Sequence, residues 1–411
     1  MSISITLDQP GSSFSIATSA KDQPAREILP VAKAFKKSGL STPSYVHDHG
    51  AFHRNGRILN DVQQRTGAKI LLAQKAFACF NLYPTLRNYL SGTAASGVYE
   101  ARLGAEEFGG EVHVFSPAYK PEDITELVQI ADHLIFNSLS QWERYKTEVL
   151  TSDRTVSPGL RINPEYAEAV AEIYNPCAPG SRFGVLAELL EGADLDGIEG
   201  FHFHTLCEQG SDALERTLEV VVAKFDKYLK KLKWLNMGGG HLITSPGYDV
   251  DRLVRIIKET QARYPHLQIY LEPGEAIASA GAVLIGSVID IVENGMQVAV
   301  LDVSATAHMP DVLEMPYRPR IEGGADPGKK AHTYRLGGPT CLSGDVIGDY
   351  SFDEPLKIGD QLVFRDMAHY TVVKNTMFNG IPLPSLSIFQ DDGEVELIRE
   401  FGYQDYKTRL G

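Results

Sequence analysis

Lys69-Ile70-Leu71-Leu72-Ala73-Gln74-Lys75-Ala76-Phe77-Ala78-Cys79 is the stretch on which the reading of this chain turns. Ile70 to Ala73 form a short apolar run, the pattern of a strand buried on both faces, as in a parallel sheet. Lys75 comes where that strand should end. An unpaired ammonium is costly to bury, so a lysine here needs a partner or a job. In a parallel α/β barrel the C-terminal ends of the strands carry the chemistry. A lysine desolvated at such a point, or placed beside another charge, can form a Schiff base. The plain alternative is a lysine that snorkels just past a strand.

Strand and helix signals alternate on both sides of this stretch. Ser44-Tyr45-Val46 opens the series, and residues 61–66 lead helically into Lys69. Further strands are expected at 110–115, 134–137, 159–163, 197–204, 232–237 and 268–272, with helices at 84–90, 125–133, 141–150, 211–229 and 249–263. Units repeated at this spacing predict a TIM-type (β/α)8 barrel over residues 43–282. Residues 1–42 read as an N-terminal extension, a candidate to lend a strand to another domain. Beyond Ala282 the texture changes to short β-type runs at 283–285, 288–292, 297–301, 361–364 and 370–373, separated by Gly and Pro turns. Residues 283–411 therefore read as an all-β barrel or sandwich domain.

Composition narrows the class. A chain of 411 residues suits a barrel plus a second domain. Its 43% hydrophobic and 22% charged content is that of a soluble globular protein. The net charge of −14 disfavours nucleic acid and anionic membranes as partners and is compatible with a cationic substrate. The cysteines at 79, 177, 207 and 341 are too sparse for a disulfide framework and lack paired metal spacing, so no metal site is expected and a reducing cytoplasm is the simplest compartment. The N-terminus has no signal-peptide pattern, and no run approaches the ~18 apolar residues of a membrane span.

Four more stretches carry polar groups that a core would not choose. Phe201-His202-Phe203-His204 alternates, so both imidazoles face one way along a strand. They are either hydrogen-bonded core histidines or a planar platform for an aromatic cofactor, since no zinc ligand set completes them. Gly238-Gly239-Gly240-His241 is a turn whose amides can approach an anion closely. Leu271-Glu272-Pro273-Gly274-Glu275 puts a carboxylate at a strand end, as a surface turn acid or as the partner of a pyridine nitrogen. Gly338-Pro339-Thr340-Cys341-Leu342-Ser343-Gly344-Asp345 brings a thiol and an acid into a loop, where a buried structural cysteine is the ordinary alternative. Taken together, a lysine, an imidazole plane, a phosphate cradle, a carboxylate and a thiol fit pyridoxal 5′-phosphate.

These residues resemble the fold-type III pyridoxal-phosphate decarboxylases of the alanine-racemase-like group, over residues 43–379. Within it the chain is most similar to the carboxynorspermidine decarboxylases. The closer match lies in residues 73–78, 174–182, 201–208, 272–275 and 308–317. Gly338 to Cys341, Tyr370 and Phe378-Asn379-Gly380 match the wider group. The resemblance implies that Lys75 binds the cofactor covalently and that His204 stacks on its ring. Cys207, Gly238, Gly239, Gly240 and Tyr370 would surround the phosphate, and Glu272 would pair with the ring nitrogen. Cys341 would reach a partner subunit's site and protonate the substrate, so the protein is expected to be a homodimer. Relatives acting on ornithine or diaminopimelate usually read Glu-Pro-Gly-Arg and carry an acid directly after the thiol. Here Glu275 and Leu342 take those places. An extra carboxylate suits a substrate with several amines, so Glu275, Asp311 and Asp345 are candidates to hold a polyamine chain. The expected activity is decarboxylation of carboxynorspermidine or carboxyspermidine in the cytoplasm. Ornithine, lysine, arginine or diaminopimelate decarboxylation is the sibling reading. A catalytically silent protein that binds the cofactor or a polyamine is the distant one.

Overall fold

Along β2 (Lys69–Ala73) both faces are buried, each against something different. Leu71 joins Ala94, Ile135, Trp234 and Tyr270 in one cluster. Ile70 and Leu72 belong to the large core with Leu59, Val62 and Ile257, which come from surrounding helices. A strand apolar on both sides in this way is one wall of a closed barrel. The computed structural model of the protein describes residues 29–168 and 174–411.

In chain order the first strands are β1 (Ser44–Asp48), β2, β3 (Gly92–Ala95), β4 (Glu111–Phe115), β5 (His133–Phe136) and β6 (Ser157–Asn163). Then come β7 (Val185–Leu186), β8 (Gly200–His202), β9 (Trp234–Asn236) and β10 (Gln268–Leu271). Eight of them pair in the order β5-β4-β3-β2-β10-β9-β8-β6, and a β5–β6 pairing closes the ring. The pairings are parallel throughout, as the barrel expectation requires. β7 lies beside β6, off the ring. Trp234 fills the barrel interior and donates from Nε1 to Ser157 Oγ at 2.9 Å.

The second sheet uses β1, β11 (Ala282–Glu293), β12 (Gln297–Leu301), β13 (His332–Gly337), β14 (Val346–Phe352), β15 (Gln361–Arg365), β16 (Ser385–Phe389) and β17 (Val395–Arg399). Its order is β14-β13-β12-β11-β1-β16-β17, with β15 also on β11. β1 sits in its middle, antiparallel to β11 and parallel to β16. The start of the expected barrel span thus lies in the sheet domain. Tyr45 and Val46 explain the placement, since each is fully buried in a different apolar cluster. The described part of the N-terminal extension contributes a helix, Leu29–Ser38. Its Val31 and Phe35 pack with Val46, Val283, Ile285 and Val363. Residues 1–28 lie outside the described residues.

Residues 370–373, read from sequence as a strand, form turns instead. Tyr370 has φ +50°, its N–H donates to Ala76 O at 2.9 Å, and Thr371 Oγ1 donates to Met367 O at 2.6 Å. The chain is thereby pulled toward the barrel mouth. No helix among the described residues is long and apolar enough to cross a membrane.

The barrel interior at Trp234 has no spare room. A Cβ on Gly200 would lie 1.9 Å from the indole ring, and one on Gly159 would lie 2.3 Å away. Gly200→Ala should therefore destabilise the fold by about 1–3 kcal/mol, the usual cost of overpacking. Chemical denaturation of wild type and variant measures it, and an unchanged midpoint would contradict this packing.

Candidate active site

The ring order sets β2, β10, β9 and β8 side by side, so their C-terminal ends meet at the barrel mouth. Lys75 comes two residues after β2, Glu272 directly after β10, the glycine run shortly after β9, and His204 two residues after β8. Lys75, His202, His204 and Glu272 open onto one recess, whose walls include the small side chains Ala73, Ala94, Ala95 and Ser96.

Lys75 Nζ lies 3.3 Å from His204 Nε2. Lys75 is exposed to the cleft that it lines, and the protein packed around that cleft desolvates its charge. Burial, followed by the positive charge of Arg161, pushes its pKa down, against a smaller opposing pull from Glu272. Gly239 N–H donates to His204 Nδ1 at 3.0 Å. That bond makes Nδ1 the acceptor and puts the proton of the neutral ring on Nε2. Burial and the neighbouring cations keep the imidazole neutral. An Nε2–H can meet Lys75 only if Nζ offers a lone pair. The pair of contacts thus favours a neutral, nucleophilic amine.

Glu272 shows the opposite behaviour. Burial pushes its pKa up, but His202, His113 and Asn236 together outweigh that and bring it down to about 2. Asn236 Nδ2 donates to Oε1 at 2.6 Å, and His202 Nε2 lies 3.3 Å from Oε2. The result is a carboxylate that stays charged deep in the recess.

The glycine run is more committed than its sequence suggests. Gly238 N–H donates to Asn236 Oδ1 at 2.9 Å, and Gly239 N–H goes to His204. Gly240 N–H has no partner among the described residues. Gly238 and Gly240 have φ of +70° and +84°. A Cβ on Gly240 would lie 1.9 Å from Leu206 O. Tyr370 and Cys207 line the cleft beside this turn, and burial, followed by Glu208 and Glu275, raises the Cys207 thiol to about 11.

From the recess a cleft of about 1680 Å³ opens between barrel and sheet domain. Glu275 and Asp311 line it, as do Glu208, Asp366 and His369. Burial, then the neighbouring acids, raises Glu275 to about 7 against the pull of His369. His369 is itself raised to about 9, because Asp366 at 3.5 Å and the nearby glutamates outweigh its burial. Asp311 pairs with Lys374, which also reaches Glu314.

Two sequence candidates lie apart from this cleft. Asp345 is buried and accepts from Ser304 Oγ at 2.9 Å and Thr340 Oγ1 at 2.7 Å. These bonds tie down the 338–345 loop. Cys341 is exposed on the sheet domain, its N–H donating to Asn379 Oδ1 at 2.8 Å, and it is not part of the cleft wall.

Arg161 was not singled out from the sequence. It lies on β6 with its guanidinium 4.3 Å from the Phe183 ring centre and 4.6 Å from that of Phe115, and donates to His204 O at 3.1 Å. It forms no salt bridge among the described residues, and burial lowers it to about 10. Its signal was present, since a cation inside the apolar run Leu160-Arg161-Ile162 is as anomalous as Lys75. His369 and Asn236 gave no comparable signal.

The family model for the pyridoxal-dependent decarboxylase, C-terminal sheet domain, matches residues 44–368. A carboxyaminopropylagmatine decarboxylase from Synechocystis is 48% identical over 375 residues, spanning 91% of this chain and 96% of that protein. A carboxynorspermidine/carboxyspermidine decarboxylase from Campylobacter jejuni is 43% identical, spanning 90% and 98%. The crystal structure of carboxynorspermidine decarboxylase complexed with norspermidine from Campylobacter jejuni aligns at a TM-score of 0.84 and 41% identity. It covers 90% of this chain and all of that one. The chain belongs to the pyridoxal-dependent decarboxylases, and its cofactor is pyridoxal 5′-phosphate. The recess fits that group: a neutral amine and a charged carboxylate share a chamber walled by alanines.

His369 holds its proton more tightly in the folded protein than in an unfolded chain. Its stabilising contribution is therefore complete below about pH 6.5 and is lost as pH rises through about 9. Melting of the apoprotein should fall across this window, and His369→Asn should flatten the fall. Parallel curves for the two proteins would remove His369 as the cause.

Proposed function

We propose that this pyridoxal-dependent decarboxylase acts on a carboxylated polyamine, converting carboxynorspermidine to norspermidine and carboxyspermidine to spermidine. The observation that carries the reading is the acidic wall of the cleft, where Glu208, Glu275, Asp311 and Asp366 face the space beyond Lys75. Such a wall suits a substrate with several ammonium groups. The named activity of the Campylobacter relative supports it. A second reading, carboxyaminopropylagmatine, is favoured by the name of the Synechocystis relative. That substrate ends in a guanidinium, which the same carboxylates would also receive.

Pyridoxal 5′-phosphate, when bound, supplies the electron sink for the pair released as CO₂ departs. Lys75 would hold the cofactor covalently through Nζ, and the surroundings that keep Nζ neutral suit it to that role. Glu272, kept ionised between His202 and Asn236, would keep a proton on the ring nitrogen. His204, fixed by Gly239, would lie against the ring. Gly240 N–H, Tyr370 and Cys207 would take the phosphate, with Gly238 and Gly239 shaping the turn. The proton of His369 would supply the positive charge that an arginine at position 275 would otherwise bring. Glu275 and Asp311 would hold the amines. Cys341 of a second subunit would return a proton to the α-carbon, so the working unit is a cytoplasmic homodimer with shared sites.

Lys75→Ala should abolish both CO₂ release and the visible absorbance of the lysine-bound cofactor, and near wild-type turnover would sink the scheme. A panel of carboxynorspermidine, carboxyspermidine, carboxyaminopropylagmatine, ornithine and diaminopimelate, with products identified, tests the substrate. Activity confined to the last two would refute the polyamine reading. Shared sites have their own test: Lys75→Ala and Cys341→Ala subunits, each nearly inactive alone, should regain about a quarter of wild-type activity when mixed as dimers. No recovery after verified subunit exchange would refute the shared sites.

A further inference from the structure

Along the same cleft, whose lining includes Gly50 and Asp391, His49-Gly50-Ala51-Phe52-His53 opens the helix His49–Thr66. Its two histidines, one turn apart, meet Asp391 in the hairpin between β16 and β17. We propose that His49, His53 and Asp391 bind a divalent transition metal of the zinc type, linking this helix to the sheet domain. One donor atom from each residue lies within 4.8 Å of the other two. His49 Nδ1 is already 3.3 Å from Asp391 Oδ2. The remaining ring contacts orient the histidines. His49 Nε2 is 2.8 Å from Thr85 Oγ1, and His53 Nδ1 is 2.8 Å from Tyr89 OH. A ring N–H given to a hydroxyl leaves the opposite nitrogen with its lone pair, as in metal-bound histidines.

An ion pair between His49 and Asp391 would not account for His53, whose ring centre lies 4.5 Å from that of His49 in a T-shaped arrangement. Two imidazoles and a carboxylate suit zinc with a water in the fourth position, whereas magnesium and calcium prefer oxygen ligands alone. Arg54, one residue further along the helix, pairs with Asp48 at 3.0 Å, so its charge is compensated locally. No metal was expected from the sequence because Asp391 lies at the far end of the chain from the two histidines.

Equilibrium dialysis of the chelator-treated holoenzyme against zinc chloride tests the proposal. The cysteines are the same in every protein compared, so thiol binding cancels. Wild type should bind one more zinc per chain than His53→Gln or Asp391→Asn at micromolar free zinc, or bind it about tenfold or more tightly. Zinc should raise the melting temperature of wild type alone, and magnesium should do neither. Equal zinc binding by wild type and Asp391→Asn, a change at an exposed position, would overturn the proposal even if His53→Gln failed to fold.

Discussion

Glu272 carries a negative charge where little water reaches it, and the barrel is what makes that affordable. His202, Asn236 and Glu272 end three adjacent parallel strands, with His202 in register opposite Asn236. Parallel pairing brings their side chains to one level, and a hydrogen bond plus a nearby imidazole offset the desolvation of the carboxylate. Removing Asn236 or His202 would leave a buried acid that burial drives to take up a proton. A neutral acid could not hold a positive charge on a facing ring nitrogen. The site's electronic character thus depends on strand register as much as on residue identity.

The same closure sets the state of Lys75. His204 is fixed by the Gly239 amide, and a neutral ring fixed in this way presents N–H, not a lone pair, to the lysine. Arg161, held between Phe115 and Phe183, adds a positive charge nearby. Burial, a facing donor and a second cation all act against an ammonium at Nζ. The sheet domain closes the arrangement from above, through the bond from Tyr370 N–H to Ala76 O. That contact ties a loop of the second domain to the turn that carries Lys75, so neither domain alone would form the cleft.

Much of this was legible in the sequence, and the failures have physical causes. The barrel followed from apolar runs punctuated by strand-end polar residues, and Lys75, the His202–His204 pair and Glu272 stood out because each is anomalous in its local pattern. β3 carries no such signal. Its Gly92-Thr93-Ala94-Ala95 is small because it is crowded, and a Cβ on Gly92 would lie 2.0 Å from Glu111 O. β1 read as the first barrel strand because proximity in sequence outweighed any cue to its distant partners, β11 and β16. Tyr370 to Val373 has the composition of a strand, but tertiary contacts bend it into turns. Asp345 stands out in sequence by its charge alone, and the hydroxyls that it accepts from are visible only in the fold.

The charge on the cleft wall follows the same logic. Glu208, Glu275, Asp311 and Asp366 crowd one side, and mutual repulsion in a poorly solvated space would protonate some of them. Three features limit that cost. His369 holds a proton beside Asp366, Lys374 pairs with Asp311, and Glu275 rises to about 7 and so can be neutral near neutral pH. A wall poised in this way gains most from a ligand that brings several positive charges, because each new ammonium restores an ionised carboxylate. A substrate with a single side-chain amine would leave part of the wall unpaired. The same cluster that is awkward in the free protein therefore favours a long cation over a short one.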